Sequence, residues 1–121
     1  MAWQVVFHDE FEAEFAGFSE AVQDEILAYA RLLEEYGPRL SRPHADTLNN
    51  SRFVNMKELR LTVDDGEWRV AFAFDATRTA VLLCAGDKSG GPQKAFYKAL
   101  IRKADRRFAA HQKVLAAKGG K

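Results

Sequence analysis

The strongest constraint on the fold lies between Met56 and Asp75, where two alternating runs are joined by a short polar segment, Asp64-Asp65-Gly66-Glu67. Asp-Gly is a favoured pair for a two-residue β-hairpin turn, because a type I′ turn needs φ > 0 at both central positions. With Asp65-Gly66 as the turn, Asp64 faces Glu67, Val63 faces Trp68, Thr62 faces Arg69 and Arg60 faces Ala71. Period-two alternation places Arg60 and Arg69 on one face of the sheet. Leu59, Leu61, Val63, Trp68, Val70, Phe72 and Phe74 fall on the other. One face is a core; the other is expected to stay in water and to carry two guanidiniums on a rigid scaffold. Guanidinium forks match phosphate geometry, so the hairpin points toward a phosphodiester ligand.

The remaining elements follow from local signals. Trp3–Phe7 reads as a strand. Asp9–Ala16 reads as a short helix, with Phe11, Phe15 and Phe18 at helical spacing and Gly17 interrupting it. Ser19 is a natural N-cap for the next helix, with Glu20 and Asp24 at or near its first turn. Val22, Ile26, Tyr29, Ala30 and Leu33 make its apolar stripe, and Gly37-Pro38 stops it. Arg39–Asn55 reads as a loop with at most one short turn. Strands are expected over Met56–Val63, Trp68–Asp75 and Ala80–Ala85, with Ala76-Thr77-Arg78 as the second turn. Pro92 is placed to open a final helix running to about Lys113, followed by a frayed tail to Lys121. Phe96, Leu100, Ala104 and Phe108 form its buried stripe, with Tyr97 and Ile101 beside it. Lys94, Lys98, Arg102 and Arg106 form a basic ridge at i, i+4 spacing. Helices followed by strands imply an α+β fold with a small, mostly antiparallel sheet, in one domain spanning residues 1–121.

Composition excludes several classes. The chain is 47% apolar, enough for an ordinary core, and no apolar run approaches the roughly eighteen residues of a membrane span. The N-terminus lacks the pattern of a signal peptide. Cys84 has no cysteine partner in the chain and sits in an apolar run, where it is expected as a buried small hydrophobe. These features fit a cytoplasmic protein without a membrane partner. The net charge of +1 conceals an asymmetry. Residues 1–51 hold three basic residues and ten acids; residues 52–121 hold fifteen basic residues and seven acids. The second half therefore suits a polyanion.

His8, His44 and His111 show no metal-ligand spacing, and neither a phosphate-binding Walker loop nor a nucleophile elbow is present. No metal or cofactor is expected. What remains is basic: Lys57, Arg60, Arg69 and Lys88 near the hairpin's polar face. Lys57 alternates with Arg60 and so aims at the core side, although its place at the strand start lets its stem reach the edge. Arg60 could instead pair with Glu58 or Glu67, and Arg69 could serve as a cross-strand partner of Thr62. An Arg and Lys site can cleave RNA without metal, because the RNA supplies its own 2′-OH nucleophile. The protein must then stabilise the phosphorane and move two protons.

The runs Asn55-Met56-Lys57-Glu58-Leu59-Arg60 and Trp68-Arg69-Val70-Ala71-Phe72-Ala73-Phe74-Asp75 carry a resemblance. Together with Ala80-Val81-Leu82-Leu83 and the Lys88 loop, the chain resembles the RelE/HigB superfamily of type II toxins, closest to the phage-derived, HigB-like branch. The likeness extends to the Leu32–Pro38 helix end and the Arg42-Pro43-His44 loop. It implies a compact microbial-RNase-like fold and ribosome-dependent endonucleolytic cleavage of mRNA. It also implies a cognate antitoxin, commonly a HigA-like helix-turn-helix protein, through which alone operator DNA is bound.

By position, the resemblance makes Arg60 and Arg69 the clamp on the scissile phosphate and Lys57 or Lys88 the general base or acid. Tyr97 is a candidate for stacking or proton transfer, and Lys94, Lys98, Arg102 and Arg106 would hold RNA. On this reading Arg69→Ala leaves the core intact, since it lies on an open face. The chain departs from the branch at Asp87-Lys88-Ser89-Gly90-Gly91-Pro92, where a Lys-Lys-Thr-type loop is usual. A binding-only toxin of the same fold, for example a gyrase inhibitor, and a non-toxic nucleic-acid module are the alternatives. Only the first would leave mRNA intact during growth arrest.

Overall fold

A computed structural model describes residues 2–119. The elements run β1 (Gln4–Phe7), α1 (Asp9–Phe15), α2 (Glu20–Tyr36), a 3₁₀ turn (Gly37–Arg39), β2 (Ala45–Thr47), β3 (Lys57–Val63), β4 (Gly66–Phe74), β5 (Thr79–Asp87) and α3 (Gln93–Gly119). The strands form one sheet in the order β1-β5-β4-β3-β2. Only β1 pairs parallel, against β5; the other neighbours are antiparallel. This is the mostly antiparallel α+β arrangement that the periodicities anticipate.

Local chemistry explains the helix ends. The His8 ring accepts from Glu10 N–H at 3.1 Å and the Ser19 hydroxyl from Val22 N–H at 3.3 Å, capping α1 and α2. Gly37 ends α2 at φ +57°, and a Cβ there would collide with the Trp3 indole. Glycine is thus required at that position both by backbone conformation and by packing.

The sheet separates two cores. On one side Phe11, Val22, Ile26 and Leu33 of α1 and α2 pack on Leu59, Leu61, Val70, Phe72 and Leu82. On the other, Leu100, Ala104 and Phe108 of α3 pack on Ala71, Ala73, Val81, Leu83 and Cys84. Each large side chain so buried contributes roughly 1.5–3 kcal/mol. The second core corrects the expectation of a water-facing sheet surface. Ala71 and Ala73 are small enough for α3 to lie close over β4, and the apolar stripe of α3 requires a surface to bury against.

Other expectations change in detail. The hairpin turn is Asp64-Asp65, with Val63 opposite Gly66, Leu61 opposite Trp68 and Arg60 directly opposite Arg69. Thr62 faces Glu67, not Arg69. The pairing moves by two residues, so every side chain keeps its face. Asp64 alone takes the left-handed φ, at 53°. Gly66 belongs to β4 for a packing reason. A Cβ there would stand 2.8 Å from Asp87 Oδ2 and 3.0 Å from Trp68 Nε1.

β2 forms inside the segment read as loop, and pairs Asp46 with Glu58. Three residues are too short for their own periodicity to show. α3 continues past Lys113 to Gly119, because Ala116 and Ala117 favour helix and no breaker precedes Gly119. The last two residues of the expected frayed tail lie outside the described residues.

A β-bulge lies in β5. Ala71 faces Cys84 and Phe72 faces Leu82, leaving Leu83 as the additional residue. Leu83 and Cys84 consequently both turn toward α3. Burial pushes the Cys84 thiol up to about 12, so it is an inert core group. Among the described residues, no helix is long and apolar enough to cross a membrane.

Candidate active site

The β2–β3–β4 half of the sheet and the first turns of α3 enclose an open cleft of about 860 Å³, within the ~300–1,000 Å³ range usual for ligand sites. Strand alternation supplies its floor. Glu58 and Arg60 project from the same face of β3, and the register sets Arg69 of β4 opposite Arg60. Two like charges in direct cross-strand register repel. Glu58 resolves this, since its carboxylate lies between them and is buried.

The polar contacts form one connected chain. Arg60 Nη1 donates to Glu58 Oε2 at 2.8 Å, and the Tyr97 hydroxyl donates to Glu58 Oε1 at 2.9 Å. Arg69 Nε donates to the same Tyr97 hydroxyl at 3.2 Å, and its Nη1 to Trp68 O at 2.9 Å. Arg69 is only 4% exposed, yet its nearest carboxylates, Glu67 and Glu58, stand 3.7 and 3.9 Å away. Burial pushes the Tyr97 phenol above the ordinary tyrosine range. The Glu58 hydrogen bond and charge act the same way, against the opposing pull of Arg69. Tyr97 is therefore a protonated donor at neutral pH.

The walls differ in chemistry. Lys94, Tyr97, Lys98, Ile101 and Arg102 fall on one stripe of α3 and line one side. Thr47, Asn49 and Asn50 line the side beyond β2, with the exposed Arg42–Asp46 ion pair at the rim.

Of the residues singled out in the sequence, Arg60, Tyr97, Lys94, Lys98 and Arg102 line the cleft, and Arg69 joins its floor through Tyr97. Lys57 does not join them. It faces the α1–α2 side of the sheet, beside Leu59 in alternation. Lys88 stands behind the cleft, its Nζ 3.4 Å from Gln93 Oε1, and Gln93 is on the lining. Arg106 turns away to Glu10, at 3.5 Å, over a separate groove that Arg52, Arg102 and Lys113 share. Asp87 organises the Lys88 loop. Its Oδ1 accepts from Glu67 N, Ser89 N and Ser89 Oγ at 3.1, 2.9 and 2.6 Å, and the Ser89 contacts hold its carboxyl below the usual range.

Burial of Arg69 corrects the reading of Arg69→Ala as an open-face substitution, since removing the side chain leaves a hole beneath α3. Glu58 entered the sequence reading only as a possible ion partner of Arg60, and the Arg60–Glu58 pair does form. Its role as the hub of both arginines and Tyr97 has a sequence signal only in its alternation with Arg60. The Thr47–Asn50 wall has none, because it becomes a wall through β2 pairing.

Comparison with known proteins gives the family and the fold. Residues 13–109 match the family described as phage derived protein Gp49-like. HigB2 of Mycobacterium tuberculosis, which bears a toxin name, is 38% identical over 104 residues, covering 85% of this chain but 51% of its own length. The chain thus spans about half of that relative. HigB3 of the same organism, also bearing a toxin name, is 39% identical over 103 residues, covering 85% of this chain and 88% of its own.

Among solved structures, a free-state mutant of the E. coli toxin RelE superposes with a TM-score of 0.58 at 12% identity, covering 85% of this chain and 97% of that one. The toxin–antitoxin complex RelBE2 of M. tuberculosis supplies a chain that superposes with a TM-score of 0.55 at 13% identity, covering 72% and 99%. These likenesses establish a shared fold.

Proposed function

This chain belongs to the phage-derived Gp49-like family within the RelE/HigB superfamily, and from that membership and its cleft we propose that it is a type II toxin cutting mRNA on the ribosome. The observation that carries the proposal is Arg69. A guanidinium removed from water with no carboxylate in hydrogen-bond range is costly to keep. A phosphate reaching Arg69 past Tyr97 would gain the short charge-assisted bonds that Glu67 and Glu58, at 3.7 and 3.9 Å, do not make.

The reaction needs no group beyond the cleft and the RNA. Lys94, Lys98 and Arg102 hold the backbone along α3, while Arg60 and Arg69 take the scissile phosphate. A base removes the 2′-OH proton, and the 2′-oxygen attacks phosphorus. The P–O5′ bond breaks, and an acid protonates O5′, leaving a 2′,3′-cyclic phosphate and a 5′-hydroxyl. Charge accumulating on the phosphorane is stabilised by guanidiniums already in position.

Glu58 is the carboxylate that bonds both Arg60 and Tyr97, and Tyr97 is the protonated donor beside Arg69, which makes them the candidate proton acceptor and donor. Lys88 can approach only past Gln93, and Lys57 lies across the sheet, so the lysines are weaker assignments than the clamp. Two of the solved relatives are toxin–antitoxin complexes, RelBE2 and the archaeal RelE–RelB complex of Pyrococcus horikoshii. They support an antitoxin partner here. The HigA-like helix-turn-helix form of that partner, its hold on operator DNA and the ribosome itself belong to the same proposal.

Primer extension on mRNA from cells expressing the protein is the test. Cuts within translated codons are expected from the wild type and not from Arg60→Ala. Growth arrest with intact mRNA would sink the proposal.

A further inference from the structure

We infer that Asn49 and Asn50 set the nucleotide preference of the cleft by pairing with the edges of unstacked RNA bases, an assignment that rests on the RNA-cleavage reading of the same site. The cleft's two sides differ in a way that backbone binding alone does not need. The α3 side presents Lys94, Lys98 and Arg102, which form no ion pair among the described residues, as a track for phosphates. The opposite side carries two asparagines. A carboxamide offers an acceptor beside two donors, the pattern that matches base edges. Single-stranded RNA is read in this manner, through base edges and base faces. Ile101, half-buried on the lining, offers apolar surface for the faces.

The placement of the two asparagines is built rather than incidental. Leu48 is buried and its N–H bonds Met56 O at 3.0 Å, anchoring one end of the segment. At the other end Ser51 Oγ and Arg52 N–H both bond the Asp105 carboxylate of α3, at 2.5 and 3.1 Å. Asn49 and Asn50 are thus held between fixed points, as preorganised recognition requires. Neither carboxamide makes a hydrogen bond among the described residues, whereas that of Asn55 is used on Phe74 O at 2.9 Å. Asn50 has a backbone reason to be asparagine, since its φ is +75°. Asn49 has no such reason.

The experiment sequences the 5′ ends of mRNA fragments from cells expressing wild type, Asn49→Ala, Asn50→Gly and the double variant. Asn50→Gly keeps the left-handed backbone while removing the amide. Within each protein, the ratio of cutting at the most and least favoured nucleotides is read. A fall in that ratio of about 5-fold or more in the double variant is expected, the lower end of what one paired base edge contributes. An unchanged ratio, or loss of cutting at all nucleotides alike, overturns the inference. A wild type that cuts no RNA brings down the cleavage reading and this inference together. A wild type that cuts, with variants of unaltered preference, brings down this inference alone.

Discussion

Two buried arginines lie on the α3 side of the same sheet and are held in opposite ways. Arg107, on α3, is 3% exposed and is held by short bonds at both of its Nη atoms, while its buried Nε has no hydrogen-bond partner among the described residues. It engages both oxygens of Glu14, at 2.9 and 2.5 Å, and donates to Leu83 O at 2.7 Å. Leu83 is the bulged residue of β5, just past the point where β1 ends and stops covering that edge. Arg107 therefore substitutes for a missing strand and ties α1 to α3. Arg69, on β4, is equally buried but has no carboxylate within hydrogen-bond range. Short bonds to a carboxylate mark a guanidinium that holds the fold together. Long ion pairs without hydrogen bonds, beside a cleft, mark one for which a ligand anion can compete.

The comparison is sharpest where it separates stability from activity. Arg107→Ala should lower folding stability by about 2 kcal/mol, because it leaves a void beneath α3 and the Leu83 carbonyl without its partner. Urea unfolding measures this, and a midpoint close to wild type would end the structural reading of that cluster. Arg69→Lys keeps the charge but removes the planar fork. It should reduce mRNA cutting roughly 100-fold with a stability change of about 1 kcal/mol or less. If its cutting matches wild type, Arg69 is a structural group like Arg107.

The smallest effect is a pH dependence. Arg107 lowers the Glu14 carboxyl below its ordinary value of 4.5, chiefly through their hydrogen bonds. A depressed folded-state value means that this stability is fully present above pH 4.5 and is lost as pH falls through the folded value. Glu14 is more than one-third exposed, so water screens the pair and the slope is shallow. In unfolding curves taken across that range, Glu14→Gln should flatten the acid limb. An unchanged limb would place the acid sensitivity elsewhere, with Asp75 the next candidate: burial raises its carboxyl, but the hydrogen bonds of His111, Thr77 and Thr79 together outweigh that and lower it.

Both arginines also show where sequence reasoning reaches and where it stops. Arg60, Arg69 and the α3 ridge were legible because strand and helix periods fix which face a residue takes. The error in the hairpin turn did not matter to that result, since a two-residue change of register preserves every face. Arg107 was invisible. It sits one position beyond the basic ridge, and nothing local distinguishes it from Arg106. Only the bulge at Leu83 and the end of β1 create the vacancy it fills. Lys57 illustrates the reverse, a residue whose alternation aimed it away from the cleft and whose strand kept it there.

The sequence by itself determined the elements, their faces and the pair of cations opposite a hydrophobic hairpin surface, because these follow from backbone period and side-chain chemistry. Tertiary structure alone decided that α3 covers the cation face, that Glu58 sits between two arginines and that Asn49 and Asn50 form a wall. Each of those depends on contacts between segments distant along the chain, such as Glu58 with Tyr97 or Ser51 with Asp105. Burial then changes the meaning of the charges, since a guanidinium in water needs no partner and one beneath a helix does.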